Sequence, residues 1–534
     1  MSEQDNSQGV LCAFSMTLLM VVGAAAAHED LRLVNAAKDQ DPQQVRTLLS
    51  GRPDVNVRAE DGSTALLWAA HWNDLKTAAL LVRAGADANA ANDFRMTPLS
   101  QSCTNGSAGF VDLLLKAGAN PNTPIGTGET PLMTCARAGS VDAVRLLLVH
   151  GANVNAKEPN QNQTALMWAT AEQHPKVAQV LIEANADLQA HTKSGFTALH
   201  FAARVGDMES TRTLLGAGVD VNIKSQPDRE IGRGQGARAG RGAAAGRAGA
   251  ARGAGAGGFG SRGDTNFGGS TPLLVATVRG YVPLALFLLD HGADPNVRDA
   301  GFTPLHWAAG TWENGLANPV YGFVDPVGGI PDREAKLQLV KALLAHGANP
   351  NLQMTARPPG FGGTGTGGYN DAAGATPFIV AANAADVEMM RILLAAGADP
   401  HLVTMTNSNA LLAATGLNRG IGEIIDNADR ALAAVRFLLD AGVDPKAVTT
   451  YNENALFGPG YRGWNRMLEL LIEKGADVNT VNKAGVTPWL AASGFGDRLG
   501  GVLFNKAGAD ILLKHGADPK LGHPCQAQNR CRPE

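Results

Sequence analysis

Two short apolar stretches alternate along most of the chain and recur about every 32–33 residues. Residues 197–203 read TALHFAA and are followed by LLGAGVDVN at 214–222. Residues 303–309 read TPLHWAA and are followed by LLAHGANPN at 343–351. The first stretch is rich in alanine, and the second carries a Leu-Leu pair. Stretches of this length, separated by polar turn residues, predict pairs of short helices.

Each part of the motif has a physical role in such a helix pair. Threonine is a good N-cap, and proline at the first helical position loses no hydrogen bond. The alanines allow close approach of neighbouring helices, and the Leu-Leu pair is expected in the core. Glycine after the second helix adopts the left-handed conformation that ends a helix, and Asp, Asn and Pro favour tight turns. One helix pair cannot bury its apolar face alone, so neighbouring pairs must stack.

The recurring motif resembles the ankyrin repeat. The resemblance implies an all-α solenoid of about twelve helix-turn-helix units with short turn or β-hairpin fingers, covering about residues 30–523. The first unit, residues 30–58, lacks the Thr-Pro box and is expected to cap the array. The last three units are degenerate: residues 454–459 have lost the alanine pair, and Gly500-Gly501 falls where a helix is expected. The residues at the threonine position are Thr64, Thr97, Thr130, Thr164, Thr197, Thr271, Thr303, Thr376, Asn409, Asn454 and Thr487.

Composition divides the chain into two repeat blocks with interruptions. Residues 226–268 hold 14 Gly, 10 Ala and 7 Arg in 43 positions and predict a flexible insert, with contact to RNA or another anionic partner as the alternative. The predicted organisation is a signal peptide or anchor at 1–27, repeats 1–6 at 28–225, the insert at 226–268, repeats 7–12 at 269–523 with insertions at 310–332 and 356–373, and a cysteine-containing tail at 524–534.

The N-terminal segment resembles an export signal. Val10 to Ala27 contains no charged residue and ends in four alanines, as in a cleaved secretory signal. The preceding Glu3 and Asp5 differ from the positive start of such signals. An uncleaved membrane anchor or a buried first helix is the alternative. We therefore expect a secreted or periplasmic protein, with a cytoplasmic or membrane-anchored location as the alternative.

The cysteines are too few for a disulfide-built scaffold, at 5 in 534 residues. Cys103 and Cys135 fall within predicted first helices and are expected to be buried and free. Cys525 and Cys531 lie in the polar tail. In an exported protein we expect a disulfide between these two, whereas in the cytosol they would be free thiols. A metal site would need two more ligands, such as His515 and His523, and we predict no metal site.

No motif in the sequence indicates catalysis, and neither an enzyme nor a cofactor is predicted. The net charge of −4 provides no general attraction for nucleic acid. The aspartates of the Gly-Ala-Asp turns are interpreted as turn formers, and Trp68, Trp168 and Trp307 hold equivalent packing positions. His200 and His306 occupy the place where the family uses histidine to link adjacent loops. The histidines that precede the glycine ending a second helix favour the negative end of the helix dipole: His150, His291, His346 and His515.

The resemblance implies a non-catalytic scaffold that binds proteins through the concave face of the solenoid, here predicted for a bacterial cell envelope. A cytosolic or host-directed regulator that uses the Arg-Gly insert, and an accessory subunit of an envelope enzyme, are the alternatives. Membrane contact is expected only if residues 1–27 remain uncleaved. Trp312, Tyr321 and Phe323 are either packed on the solenoid or offered to a partner. Transferring the family's contact positions to this chain gives His71, Trp72, Arg137, Phe196, Arg204, Arg279 and Phe302 as further candidate partner contacts.

Overall fold

The computed structural model describes residues 31–226, 268–310, 330, 332–355, 373–417, 428–494 and 504–522. These ranges contain 24 helices in twelve successive pairs and no strand. The helices are α1 (31–38), α2 (Pro42–Ser50), α3 (Ala65–His71), α4 (Leu75–Arg83), α5 (Pro98–Thr104), α6 (Ala108–Lys116), α7 (Pro131–Arg137), α8 (Val141–Val149), α9 (Ala165–Ala171), α10 (Pro175–Glu183), α11 (Ala198–Val205), α12 (Met208–Gly216), α13 (Pro272–Val278), α14 (Val282–Asp290), α15 (Pro304–Ala309), α16 (Arg333–Ala345), α17 (Pro377–Asn383), α18 (Val387–Ala395), α19 (Ala410–Ala414), α20 (Ala428–Asp440), α21 (Phe457–Arg462), α22 (Asn465–Glu473), α23 (Pro488–Ala492) and α24 (Lys506–Lys514).

The helix pairs form two compact units. The N-terminal unit contains the described residues up to Val219 and therefore the first six pairs. The C-terminal unit contains the described residues from Asp220 onward and the last six pairs. Within each unit, first helices pack on neighbouring first helices and second helices on neighbouring second helices. The predicted all-α repeat architecture is confirmed.

The first helices begin as the motif predicts. The Thr64 hydroxyl accepts a hydrogen bond from the Leu67 amide at 3.2 Å, and equivalent threonines cap most other first helices. Proline occupies the first turn of α5, α7, α13, α15, α17 and α23. Asn454, at the threonine position of the eleventh repeat, does not cap its helix in this way. Its side-chain amide Nδ2 donates to the Asp477 carbonyl oxygen at 2.7 Å, and α21 begins only at Phe457. Local capping therefore sets the start of nearly every first helix.

Most second helices bury the first member of the Leu-Leu pair more deeply than the second, whereas α6 and α14 bury both. Leu147 and Leu343 are fully buried, whereas the following Leu148 and Leu344 are only half-buried. This difference arises because adjacent helical residues point about 100° apart, so Leu148 and Leu344 lie toward the edge of the buried face. Most second helices then end at a glycine with positive φ, and Asn185 replaces that glycine after α10.

The turns between units are joined by asparagine side chains. Asn89 accepts a hydrogen bond from the Asn120 amide at 2.8 Å and donates to the Gly118 carbonyl oxygen at 2.9 Å. Asp87 in turn accepts from the Asn89 amide at 2.9 Å, which confirms its predicted role as a turn former. The predicted fingers are hydrogen-bonded turns, and in the described part of the chain none of them forms a strand.

One prediction about the cysteines is wrong. Cys103 on α5 and Cys135 on α7 are joined by a disulfide, and both are fully buried. They lie on first helices of consecutive units, at positions that hold the alanine pair elsewhere. Because this packing brings their Cα atoms to 4.5 Å, the two thiols are close enough to bond. The separation of 32 residues along the sequence does not by itself show that the two side chains touch, because this depends on how neighbouring first helices stack.

Several sequence predictions fall outside the described residues. They concern the N-terminal segment 1–27, most of the three insertions, and the tail that carries Cys525 and Cys531. Among the helices that are described, none combines the length and apolar character that a membrane crossing requires.

Candidate partner-binding surface

The candidate surface lies in the N-terminal unit, on the side where the first helices end. We call it the first-helix face and define it as the C-terminal ends of α3, α5, α7, α9 and α11 together with the turn that precedes each of them. Side chains link consecutive helix ends by hydrogen bonds to backbone carbonyl oxygens: Asn105 Nδ2 to Ala70 at 2.8 Å, Ser140 Oγ to Gly106 at 2.8 Å, His174 Nε2 to Arg137 at 3.0 Å and Gln173 Nε2 to Val205 at 2.7 Å. These bonds make the face a continuous surface.

An aromatic and cationic cluster occupies its N-terminal end. His71 lies edge-on to Trp68 and Trp72, with ring centroids 5.5 and 4.6 Å apart. The Lys38 ammonium lies 5.3 Å from the Trp68 ring centroid. The Trp72 indole donates to the Lys38 carbonyl oxygen at 2.9 Å, yet 43% of Trp72 remains exposed. The predicted contacts His71 and Trp72 are therefore accessible and held in place.

Arg137 forms a second cation–aromatic contact on this face. Its guanidinium carbon lies 5.2 Å from the Trp168 ring centroid, and its Nη1 lies 3.2 Å from Glu129 Oε2. The side chain is half-buried, since about a quarter of it is exposed, at 27%. Trp168 is buried, as expected for a packing residue. Arg137 thus presents an oriented cation that one carboxylate already neutralises in part.

The structure adds Phe94 and Arg95, which the sequence reasoning missed. Phe94 is 73% exposed at the tip of the turn before α5, and its carbonyl oxygen accepts from the Gly126 amide of the next turn at 3.1 Å. Arg95 has φ 59° at a place where other units have glycine or asparagine. The sequence carries a signal for this difference. Residues 92–99 read NDFRMTPL, in which Arg95 stands where most units have glycine before the Thr-Pro box.

The remaining candidates divide into three groups. Arg204 and Arg279 are half-buried at first-helix ends. Phe196 and Phe302 are only 2% and 0% exposed, so the prediction that these two side chains contact a partner is wrong. Their rings pack beneath the turns, against His200 and Phe201 in one case and Trp307 in the other. The last group lies outside the described residues: Trp312, Tyr321 and Phe323.

The buried histidines support the fold. His306 Nε2 donates to the Leu352 carbonyl oxygen at 2.9 Å, and its Nδ1 accepts from the Thr303 amide at 3.2 Å. This bonding confirms the predicted loop-linking role, and burial lowers the pKa of His306 to about 4. The predicted role at helix ends is also consistent with the structure, since Nδ1 of His150, His291 and His346 contacts the carbonyl oxygen four residues earlier at 2.8–2.9 Å.

Two carboxylates with shifted pKa values also have structural partners. Hydrogen bonds from Ser63, led by its amide at 2.9 Å, lower the pKa of Asp61. Burial raises the pKa of Asp386, but the hydrogen bonds and charge of Arg333 outweigh burial and bring it below its ordinary value. Within the described ranges, no group of three or more His, Cys, Asp or Glu side chains is placed to hold a metal ion. The oriented aromatic and cationic side chains of the first-helix face are therefore the strongest candidate site.

Comparison with known proteins agrees with the repeat pattern. Residues 33–125, 122–192 and 162–225 match "Ankyrin repeats (3 copies)", residues 273–313 match "Ankyrin repeats (many copies)", and residues 300–354 and 373–405 match "Ankyrin repeat".

Two curated relatives match over part of their length. The chicken (Gallus gallus) nuclear factor NF-kappa-B p105 subunit is 28% identical over 150 residues, which are 27% of this chain and 14% of that protein. Protein PhlB of Serratia liquefaciens is 29% identical over 147 residues, 27% of this chain and 47% of that protein. The chain therefore spans less than half of either relative.

The solved structure of the human ASB11 ankyrin repeat domain is 25% identical to this chain, with a TM-score of 0.33. The match covers 36% of this chain and 86% of the ASB11 chain. The family matches together extend over more than half of the sequence, in both structural units. The chain belongs to the ankyrin repeat family.

Proposed function

We propose that the chain is a non-catalytic scaffold that binds another protein through the first-helix face of its N-terminal unit. The observation that carries the proposal is the exposure of oriented aromatic and cationic side chains on consecutive repeats. Tryptophan, arginine and other aromatic residues contribute a large share of the energy at protein interfaces. Ankyrin repeats generally mediate protein–protein contacts, and the family resemblance makes this face the concave one.

Preorganisation supports this choice of surface. The Trp72 ring is fixed by its hydrogen bond to Lys38 and by its contact with His71. A side chain held in this way loses little conformational freedom on binding, so more of its contact energy contributes to affinity. Phe94 adds exposed apolar area in the turn before α5, which only α4 separates from Trp72 in the sequence.

The titratable side chains support a binding role rather than catalysis. His306 is buried between a threonine N-cap and a loop carbonyl, and Asp386 caps a second helix while pairing with Arg333. The hydrogen bonds of both side chains go to groups that hold helix starts and loops in place, as expected for structural residues. Burial accounts for the lowered pKa of His306, and the ion pair with Arg333 together with helix capping accounts for the lowered pKa of Asp386.

Site-specific cross-linking tests the binding proposal. A photoreactive phenylalanine analogue is placed at Trp72 or Phe94 and, as the matched control, at exposed Val149 on the end of second helix α8. The proposal expects one partner protein to be captured from the native cell at both first-helix-face positions and not at Val149. Equal capture at all three positions, or capture at Val149 alone, would contradict it.

We further infer export to an oxidising compartment, such as a bacterial periplasm or the exterior. The buried Cys103–Cys135 disulfide supports this location, because disulfides persist outside the reducing cytosol. The apolar run of residues 10–27 supports it independently. Intact mass of the protein from separated envelope and cytosolic fractions, with thiol labelling before and after reduction, tests the inference. Full-length protein with alkylatable Cys103 and Cys135 in the cytosol would overturn it.

A further inference from the structure

A groove lies on the opposite side of the N-terminal unit, between second helices α2 and α4. Its volume is about 360 Å³. It is lined by Arg46 of α2 and by Leu75, Lys76, Ala79, Leu80 and Arg83 of α4. The α4 residues lie on one face because they are spaced three or four positions apart. The groove is formed entirely by second helices and shares no residue with the first-helix face.

The groove is positively charged and has no neutralising carboxylate. Neither α2 nor α4 contains an acidic residue. Arg46, Lys76 and Arg83 are exposed, and none of them forms an ion pair with another described residue. The nearest sequence acids, Asp41 and Asp74, cap the two helices by accepting hydrogen bonds from backbone amides. Three cations therefore converge on one cavity without a counterion from the described part of the chain.

Apolar surface lies between these cations. Leu75 is 41% exposed, and Ala79 and Leu80 are half-buried along the same wall. Gly109 of α6 lies beside Leu75: a Cβ atom built there would be 3.5 Å from Leu75 Cδ2, so the missing side chain leaves this end of the groove open. The groove thus offers an apolar floor with cationic edges, which differs from the mixed-charge surface of the neighbouring Lys116–Asp112 pair.

We propose that this groove binds an acidic amphipathic helix of a partner protein, in addition to the partner of the first-helix face. Lys76 and Arg83 are seven residues apart on α4, which places them about 10.5 Å apart along the helix axis. Carboxylates at positions i and i+7 of a partner helix have the same spacing, and apolar residues at i+3 and i+4 lie between them. Arg46 faces this helix from the other side. Cations that flank an apolar strip match the acidic and apolar positions of an amphipathic helix, which makes a helix the proposed occupant.

The test uses the full chain and a defined peptide. The probe is a fluorescein-labelled, 18-residue helical peptide with glutamates at i and i+7 and leucines at i+3 and i+4. Its Kd is measured by fluorescence anisotropy for the wild type, for the R46E/K76E/R83E variant, and for R145E. Arg145 is the matched control because it is an exposed cation on second helix α8, away from the groove.

The proposal predicts binding that weakens about tenfold or more in R46E/K76E/R83E and is unchanged in R145E. A peptide with glutamine in place of glutamate should bind as weakly as the glutamate peptide binds to the triple variant. Circular dichroism and melting of each variant separate lost binding from lost folding, and K76Q/R83Q gives a milder variant. Absence of peptide binding, equal loss in R145E, or binding of phosphatidylglycerol vesicles but not peptide through the same cations would overturn the proposal.

Discussion

The disulfide between Cys103 and Cys135 covalently joins the first helices of the third and fourth repeats. Repeat arrays are held together by contacts between neighbours alone, so a covalent bond between two repeats constrains their separation on unfolding. Both sulfur atoms occupy buried positions that other repeats fill with alanine. The bond therefore lies where other repeats make a small-residue contact between neighbouring first helices.

Replacing both cysteines by alanine should lower the stability of the oxidised protein. The bond closes a loop with a sequence separation of 32 residues, for which loop-closure entropy gives about 3–4 kcal/mol. The measurement is urea denaturation followed by circular dichroism, with C103A/C135A compared with the wild type. Under strong reductant the two proteins should converge. Equal midpoints without reductant would show that the bond is absent or contributes nothing.

Buried His306 should make stability depend on pH. Its pKa is about 4 in the folded protein and near 6.5 in the unfolded chain, because burial disfavours the protonated ring. The unfolded state therefore binds more protons between these values, and stability decreases as the pH falls from 6.5 to 4, by roughly 3 kcal/mol in total. Replacement of His306 by glutamine should remove this part of the pH dependence. The exposed helix-end residue His515 provides the control, since H515Q should leave the dependence intact.

The Leu-Leu pair allows a test of the repeat register. Leu343 is fully buried and Leu344 is half-buried on the same helix. L343A should destabilise the protein by about 2–5 kcal/mol, and L344A by clearly less, because less of its surface leaves water on folding. Chemical denaturation of the two single variants makes the comparison. The reverse order would contradict the register described for α16.

Gly458 in the eleventh repeat lies too close to the backbone of the preceding repeat for alanine to fit in its place. A Cβ atom at Gly458 would lie within 2.2 Å of the Thr415 carbonyl oxygen of the preceding repeat. G458A should therefore destabilise the C-terminal unit. Gly216 is the control, since a Cβ atom there meets nothing within 4 Å and G216A should be neutral or stabilise by about 0.5–1 kcal/mol. Thermal melting of both variants distinguishes the two cases.

Local signals made most of the fold predictable from the sequence. Threonine caps, first-turn prolines and helix-ending glycines act within a few residues, so Thr64 and Pro98 could be assigned without a structure. Contacts between repeats were harder to predict. The pairing of Cys103 with Cys135 and the close approach at Gly458 depend on how neighbouring helices stack.

The binding surface was predicted only in part, because burial depends on side-chain direction. His71 and Trp72 at a helix end are accessible, as the motif position implied. Phe196 and Phe302 precede the N-cap threonine and turn inward to pack against residues of the following helix, which a contact position alone does not show. Phe94 was missed because it replaces no recognised contact residue. Phe94 occupies the tip of a turn in which Arg95 has the same positive φ as the glycine or asparagine of other units, and 73% of Phe94 is exposed there.

The central claim is tested most directly by affinity for the partner captured by cross-linking at Trp72. Its Kd is measured by isothermal titration for the wild type, for W72A/F94A on the first-helix face, and for V149A on the opposite helices. If Trp72 and Phe94 anchor the interface, the double variant should bind about 30-fold more weakly or worse, as expected for anchors that contribute about 2 kcal/mol or more together. V149A should bind like the wild type. An unchanged Kd for W72A/F94A in a folded protein would contradict the claim that this face binds the partner.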